Sequence, residues 1–271
     1  MTVYKSYGSW SLVTGASSGI GASFGRHLAK AGQNVVLVAR RAERLEALSK
    51  ELTEAHGVEV RTVSADLATV EGIEGVFEQT KDLEIGLLVS NAGRLVTGSF
   101  LGGKIEDYIS ENRLNIDAHL RLSHHYGRLM AARGRGGILL VGSMGGFMGN
   151  PFMANYAATK AHLVTLTLGL SNELKDHGVD MSIVTPGSTD TEMTRVQLGM
   201  KPESSLMSPE QVVEEGLAGL PHKPVIIPGF MNRIIVFVFG MLPRTLVVKL
   251  TRSAAHDILE PEAFDARLPA A

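Results

Sequence analysis

The feature that most constrains this fold is a regular alternation of short apolar runs with longer segments of helical periodicity. Seven runs have the character of strands: residues 10–14, 33–39, 58–63, 85–90, 137–141, 179–185 and 224–227. Helical patterns lie between them, one through Phe24, Leu28 and Ala31 and others at about 40–55, 69–80, 105–132, 155–175 and 209–218. This alternation predicts an α/β fold with a doubly wound parallel sheet, whose ligand-binding edge collects the strand ends.

A glycine-rich turn joins the first predicted strand to the first predicted helix. Glycines let the chain turn tightly and let backbone N–H groups and a helix N-terminus approach a pyrophosphate. The spacing therefore predicts a dinucleotide-binding turn. An ordinary glycine-rich strand-to-helix turn is the alternative. The residues assigned to this turn are Gly15, Ser17, Ser18, Gly19, Ile20 and Gly21.

A possible catalytic group lies in the second half of the chain. Tyr156 and Lys160 are four residues apart, so on a helix their side chains project from one face. None of the other tyrosines has a Lys four residues later. Ser143 follows a predicted strand thirteen positions before Tyr156. A phenol beside an ammonium and a hydroxyl suggests a proton donor, a group that tunes its pKa, and a donor that orients the reacting oxygen.

Several motifs, taken together and in order, resemble the short-chain dehydrogenase/reductase family over residues 10–191. The motifs are TGASSGIG, Asn91-Ala92-Gly93, Asn115, Ser143, the Tyr156–Lys160 pair and Pro186-Gly187. The resemblance implies a seven-stranded Rossmann-like sheet, an NAD(P)(H) cofactor and a catalytic tetrad of Asn115, Ser143, Tyr156 and Lys160. For Asn115, a polar residue on an exposed helix face is the alternative.

The resemblance also assigns the rest of the cofactor site. Asp66 and Leu67 would contact the adenine, and Asn91, Ala92 and Gly93 would form the turn beneath the nucleotide. The loop after the sixth strand would meet the nicotinamide end of the cofactor, as would Tyr156 and Lys160. The residues assigned to this loop are Pro186, Gly187, Thr189 and Thr191.

The end of the second predicted strand bears on the choice of cofactor. NAD-preferring relatives carry an acid there, whereas this chain has Ala39 followed by Arg40 and Arg41. A guanidinium can bind a 2′-phosphate that an acid would repel. We therefore predict NADP(H) in preference to NAD(H). The alternative is that both arginines merely begin a solvated helix.

A simple charge argument predicts how Lys160 would affect Tyr156. An ammonium ~4 Å from the phenol, at an effective dielectric of ~20, supplies ~4 kcal/mol, or ~3 pKa units. We therefore expect Lys160 to lower the pKa of Tyr156 toward neutrality. In reduction, neutral Tyr156 would give its proton to the carbonyl oxygen while Ser143 holds that oxygen.

Composition excludes several other classes of function. The net charge is −2 with 20% charged residues, which argues against nucleic-acid binding. The chain has no cysteine, so it has no disulfide or thiolate metal site, and a cytoplasmic location fits. No metal site is predicted. The three histidines of one predicted helix are interpreted as interface or surface residues: His119, His124 and His125.

We expect one domain, with a Rossmann-like core over residues 1–228, a substrate lid at about 188–207, and an extension at 229–271. Apolar residues surround the proposed catalytic group and continue into the lid, which predicts a bulky apolar carbonyl or alcohol substrate. They are Met144, Phe147, Met148, Phe152, Met153, Met193, Val196, Leu198, Met200, Leu206 and Met207.

The extension contains an apolar stretch at 234–242 with basic residues on both sides. It is too short to cross a membrane, and we expect it to cover the cleft, to contact another subunit, or to touch a membrane surface. The family resemblance implies a homodimer or homotetramer. Two other functions remain open: a membrane-surface acyl-chain or steroid reductase, and a nucleotide-sensing protein without catalysis. The presence of both Tyr156 and Lys160 counts against the second.

Overall fold

The computed structural model describes residues 3–197 and 206–258, and its centre is a parallel sheet of seven strands. The strands are β1 (Trp10–Thr14), β2 (Asn34–Ala39), β3 (Val60–Ser64), β4 (Ile85–Ser90), β5 (Gly136–Val141), β6 (Val179–Val184) and β7 (Val225–Ile226). Their order is β3-β2-β1-β4-β5-β6-β7, with every neighbouring pair parallel. The predicted doubly wound α/β sheet is confirmed.

Helices cover both faces of the sheet. They are α1 (Gly19–Lys30), α2 (Ala42–His56), α3 (Val70–Thr80), α4 (Ile105–Asn112), α5 (Ala118–Ala132), α6 (Ala154–Lys175), α7 (Pro209–Gly219), α8 (Phe230–Met241) and α9 (Arg244–Ile258). One core cluster joins the sheet to α1, α2 and α7, and the other joins it to α3, α5 and α6. Because both faces are covered, the central strands β1, β4 and β5 are buried along their whole length.

Local sequence explains where several helices begin and end. Thr69 and Ser208 cap α3 and α7, each with its hydroxyl accepting a backbone N–H from the first turn, and Pro209 opens α7. Gly57 ends α2 in the left-handed conformation at φ 65°. The buried face of α2 is the leucine stripe at positions 45, 48 and 52.

The strand order reverses at β1, which pairs with β2 on one side and β4 on the other. Ligands of such sheets bind in the crevice outside the carboxyl ends of the strands at this point. The chain segments that leave those ends carry Gly15, Asn91, Ser143 and Pro186. The fold thus brings the separate sequence motifs to one edge.

The predicted helix at 105–132 has the expected extent, but it is interrupted. A π-helical segment, Arg113–Asp117, separates α4 from α5. Such wider turns inside α-helices are rare and frequently occur at functional sites. Asn115 lies within this segment and is fully buried.

The C-terminal extension forms two helices, α8 and α9, separated at Pro243. This hairpin lies against the turn Met144–Phe147, and Thr251 donates a hydrogen bond to the Gly149 carbonyl at 3.0 Å. An apolar stripe of α8 faces outward: Phe230, Met231, Ile234, Phe237, Val238 and Met241.

In residues 3–197 and 206–258, no helix combines the length and apolar content that spanning a bilayer requires. Residues 198–205 of the predicted lid, which include Leu198 and Met200, lie outside the described residues, as do residues 259–271.

Candidate active site

A cleft of about 400 Å³ opens at the carboxyl ends of the central strands. Nineteen residues predicted for catalysis or cofactor binding line it: Gly15, Ser17, Ser18, Gly19, Ile20, Arg40, Arg41, Asp66, Leu67, Asn91, Ala92, Gly93, Ser143, Tyr156, Lys160, Pro186, Gly187, Thr189 and Thr191. Two other predicted residues, Gly21 and Asn115, lie behind the wall. The cleft is also lined by Glu192 and Thr194, which the sequence did not single out.

The glycine-rich turn requires its glycines for two different reasons. Gly15 and Gly19 have φ values of 66° and 53°, a conformation that L side chains rarely adopt. Gly21 is needed for close packing, because a Cβ there would lie 2.2 Å from the Gly15 carbonyl oxygen. The N-terminus of α1 can therefore sit directly on the turn and face the cleft, which is the arrangement that binds phosphate groups.

The turn after β4 is tied to the end of β1 by hydrogen bonds. Thr14 Oγ1 accepts the backbone N–H groups of Asn91 and Ala92 at 2.8 and 2.9 Å. The Asn91 side chain donates to the Thr14 carbonyl at 2.8 Å. The side chain of Asn91 is thus used to hold the floor of the cleft in place.

His119 supports the same turn from below, so its interpretation as an interface or surface histidine was wrong. The ring is 1% exposed. Its Nε2 lies 3.0 Å from the Ala92 carbonyl, which can only accept, so Nε2 carries the proton and Nδ1 accepts from the Ser90 hydroxyl at 2.8 Å. Burial lowers the pKa of His119 to about 3, and the ring is neutral at physiological pH.

Tyr156 and Lys160 lie on the first two turns of α6 and face the cleft together. The Lys160 Nζ is 5.6 Å from the centre of the Tyr156 ring. It donates a hydrogen bond to the Val141 carbonyl at 3.0 Å, and the residue is only 3% exposed. Ser143 caps the short turn after β5, where its Oγ accepts the Gly145 N–H at 3.1 Å.

The expected fall in the Tyr156 pKa does not occur in this structure. Burial raises the pKa of Tyr156 to about 12, while the nearby Ser143 hydroxyl opposes this rise and the charge of Glu111 adds to it. Burial also lowers the pKa of Lys160 to about 8, against the attraction of Glu111. The simple charge argument left out desolvation, which is the largest cause of the shift. At neutral pH the phenol is therefore protonated, and it can act as a proton donor.

The alternative interpretation of Asn115 as a polar residue on an exposed helix face is wrong, because the side chain is buried. Its Oδ1 accepts the Arg94 N–H at 3.0 Å, and its Nδ2 donates to the Arg94 carbonyl at 2.9 Å. Nδ2 also lies 3.2 Å from Thr159 Oγ1 on α6. The amide thus joins three segments: the loop after β4, the π-helical segment, and the helix that bears Tyr156 and Lys160.

Sequence reasoning missed Glu111, a fully buried carboxylate one turn before Asn115. Its two oxygens accept the Val96 N–H at 2.8 Å and the Asn155 side-chain N–H at 2.6 Å. Burial raises the pKa of Glu111, and Asn155 and Val96 oppose that rise. A single Glu in a helical pattern looks like a solvated residue, so only the fold reveals this contact with the first turn of α6.

The two arginines after β2 have different surroundings. Arg40 is exposed and lines the cleft, and its guanidinium makes no hydrogen bond or ion pair within the part of the chain that the structure describes. Arg41 donates to Ser17 Oγ at 3.0 and 3.1 Å and to Ser18 Oγ at 2.7 Å. It also pairs with Glu192 at 2.9 Å. Basic groups therefore surround the turn at this end of the cleft.

No cluster of three or more His, Asp or Glu side chains able to hold a metal ion occurs among residues 3–197 and 206–258.

Comparison with known proteins gives consistent matches along most of the chain. Residues 9–201 match the family model described as short chain dehydrogenase. The chain is 35% identical over 238 residues to 7beta-hydroxysteroid dehydrogenase of Clostridium sardiniense, covering 86% of this chain and 90% of that protein.

Two solved structures are also similar. One comes from work on the stereoselectivity of 7beta-hydroxysteroid dehydrogenase and has a TM-score of 0.87 at 30% identity, covering 93% of this chain and 99% of the other. The other is a short-chain dehydrogenase from Sphingobium yanoikuyae in complex with NADPH. Its TM-score is 0.78 at 32% identity, over 86% and 93% of the two chains.

Proposed function

Because this chain belongs to the short-chain dehydrogenase/reductase family, we propose that it interconverts a ketone and a secondary alcohol on a bulky, steroid-like substrate with NADP(H). Membership itself makes it an oxidoreductase that acts on CH–OH or C=O groups, as the sequence predicted. The presence of both Tyr156 and Lys160 counts against the alternative of a nucleotide sensor without catalysis. The observation that carries the proposal is that Tyr156, Ser143 and Lys160 line one cleft together with the glycine-rich turn.

The cleft has the features that a dinucleotide requires. The positive φ values of Gly15 and Gly19 and the close packing at Gly21 shape the turn, and helix α1 begins at Gly19 beside the cleft. We assign the diphosphate to this turn, the adenine to Asp66 and Leu67, and the nicotinamide end to Lys160 and the loop from Pro186 to Thr191. When bound, the nicotinamide ring would exchange a hydride with the substrate carbon.

Tyr156 and Ser143 would both bind the oxygen of the substrate. In reduction, the Tyr156 phenol donates its proton to the carbonyl oxygen, and the Ser143 hydroxyl fixes that oxygen by a hydrogen bond. A positioned proton donor contributes ~10²–10⁴ in rate, and one oxygen-holding donor ~10²–10³. Lys160 holds positive charge beside the phenol while its pKa near 8 keeps it largely protonated.

The proposed cofactor preference rests on charge at the end of β2. Ala39 puts no carboxylate at the end of β2, and Arg40 lines the cleft next to it. A similar protein binds NADPH. These features support NADP(H) as the preferred cofactor.

The substrate class follows from the walls beside the catalytic residues and from the relatives. Met193 and Val196 line the cleft, and α8 contacts the turn Met144–Phe147, which directly follows Ser143. On α8, Asn232 lies next to Gly187, where a Cβ would be 3.0 Å from its side-chain atoms. Apolar walls of this kind suit a large hydrophobic ketone, and a similar protein is named for its action on a hydroxysteroid.

We test the proposal by following the loss of NADPH absorbance with oxosteroids, small ketones, aldehydes and acyl thioesters. We expect kcat/KM for at least one oxosteroid to exceed that for small ketones by at least about tenfold, and NADPH to be used better than NADH. If only long-chain acyl thioesters were reduced, the acyl-chain alternative would replace the steroid-like substrate. If no carbonyl compound were reduced and no alcohol oxidised, the proposed reaction would be wrong.

We also propose that the protein assembles as a homodimer or homotetramer through α5 and α6. Apolar side chains stand exposed on these helices: Leu120, Leu129 and Leu168, at 43%, 48% and 50%. The exposed stripe of α8 supports a second interface, either with another subunit or with a membrane surface. The membrane alternative is favoured by the basic residues of the hairpin, since residues 229–256 contain Arg233, Arg244, Lys249 and Arg252 but no Asp or Glu.

A further inference from the structure

Glu192 holds two arginines across the mouth of the cofactor cleft. Its carboxylate lies 2.9 Å from the Nη1 atoms of both Arg41 and Arg44. The Arg41 Nη1 also reaches the second oxygen at 3.1 Å. We call this group of three charged side chains, Arg41, Arg44 and Glu192, the Glu192 clasp. It is not part of any motif in the sequence.

The two halves of the clasp come from opposite sides of the cleft. Arg41 and Arg44 lie at the start of α2, after β2, whereas Glu192 directly follows Thr191 in the loop after β6. Arg41 also donates to Ser17 and Ser18 of the glycine-rich turn. The loop and the turn touch, because a Cβ on Gly19 would be 3.0 Å from Thr191 Cγ2. The clasp therefore lies beside the glycine-rich turn, on the side where the adenosine ribose of a dinucleotide would lie.

The charges of the clasp conflict with those of a 2′-phosphate. The hydrogen bonds from Arg41 and Arg44 lower the pKa of Glu192, so its carboxylate is ionised at neutral pH. The carboxylate accepts the guanidinium N–H groups that a phosphate would otherwise accept, and its negative charge would repel a phosphate placed beside it. All three side chains are 41–50% exposed, so an incoming anion can reach them and exchange with the carboxylate.

We propose that Glu192 is a specificity-determining residue that competes with the 2′-phosphate of NADP(H) for Arg41 and Arg44. It thereby weakens the preference for NADP(H) that Ala39 and Arg40 create. A cofactor without this phosphate has no need of the two guanidiniums and leaves the clasp intact. This inference rests on the proposed NADP(H) site and adds a residue to it.

The test measures equilibrium binding of two fragments, adenosine 2′,5′-bisphosphate and adenosine 5′-monophosphate, by isothermal titration calorimetry. An exposed ion pair is worth ~0.2–1 kcal/mol, so removing both pairs in Glu192→Gln should tighten the bisphosphate by about fivefold. Binding of the monophosphate should not change. The matched control is Glu51→Gln, which removes an equally exposed carboxylate paired with Arg26 at 2.7 Å, and which should change neither affinity.

The outcomes separate this inference from the proposed function. If the wild-type protein bound both fragments and Glu192→Gln left their ratio unchanged, the competition would be refuted while the cofactor site stood. If Glu192→Gln weakened the bisphosphate, Glu192 would help to position the arginines for phosphate, and the inference would be reversed. If the wild-type protein bound neither fragment, the cofactor assignment would fall and the inference with it.

Discussion

At the scale of single residues, the site is governed by burial more than by the attraction between its charges. Tyr156 keeps its proton because burial raises its pKa by more than the Ser143 hydroxyl lowers it. Lys160 is held by the Val141 carbonyl at the end of β5, so its position is fixed by the sheet. This arrangement supports the proposed role of Tyr156 as the proton donor.

Tyr156→Phe tests that role directly. We expect kcat to fall by about 10²–10⁴, because the proton donor is lost while the shape of the cleft remains. The dissociation constant for NADPH, measured by fluorescence titration, should change by less than about threefold.

Tyr126→Phe is the matched control for this variant. It also removes one phenolic hydroxyl, which lies 2.7 Å from Thr80 Oγ1 and away from the cleft, and it should leave kcat unchanged. Near-normal turnover in Tyr156→Phe would remove Tyr156 from the proton-donor role.

The residues predicted from sequence are those whose role is carried by local spacing. Gly15, Gly19 and Gly21 act within one turn, and Tyr156 and Lys160 within one helical repeat. Glu111 and Glu192 could not be predicted in this way. Their partners lie 44 and 151 residues away in the chain, so only the fold brings them together. For the same reason the sequence overestimated the effect of Lys160 on Tyr156, since burial is a property of the fold.

At the scale of elements, the sheet and its helices were predictable because periodicity is local, whereas the irregular turn in the long helix was not. The predicted segment at 105–132 has correct ends, yet Arg113–Asp117 forms a π-helical segment. Its buried Asn115 is satisfied by Arg94 and Thr159, which belong to other elements. The long-range contacts that accompany this turn cannot be recognised from apolar spacing alone.

The tie between α5 and β4 through His119 makes a prediction about acid stability. In the folded state the pKa of His119 is about 3, below the ordinary value of 6.5. As pH falls below 6.5 the unfolded chain takes up a proton that the folded protein does not, so stability is lost. Between pH 7 and 5 this group alone should lower the free energy of unfolding by about 2 kcal/mol.

His119→Gln should show a smaller loss of stability between pH 7 and 5, by about that amount. Urea unfolding at the two pH values measures it, and glutamine can still donate to Ala92 and accept from Ser90. His222→Gln replaces an exposed histidine and is the control. An equal pH dependence in wild type and His119→Gln would show that His119 titrates normally in the folded protein.

At the scale of the whole molecule, two groups of exposed apolar residues bear on assembly: the leucines of α5 and α6, and the outward stripe of α8. We expect the wild-type protein to sediment as a dimer or tetramer and Leu168→Glu to sediment as a monomer, because the charge would be buried at the proposed interface. Phe237→Glu, on the α8 stripe, is the comparison and should leave the contact through α5 and α6 intact, so that it sediments at least as a dimer.

Other sedimentation results would point elsewhere. If Phe237→Glu dissociated the protein and Leu168→Glu did not, assembly would use α8. If the wild-type protein were a monomer that bound to anionic vesicles and Phe237→Glu did not bind them, the membrane alternative would hold.

The order of parts along the chain has a practical consequence. Every residue assigned here to the cofactor or to proton transfer lies between Gly15 and Glu192, whereas the helical hairpin beside the substrate wall begins at Phe230. The residues proposed for cofactor binding and proton transfer and the α8–α9 hairpin thus occupy separate stretches of the sequence. Grafting another hairpin after Gly229 could therefore redirect the enzyme to differently shaped molecules while its redox apparatus stays untouched.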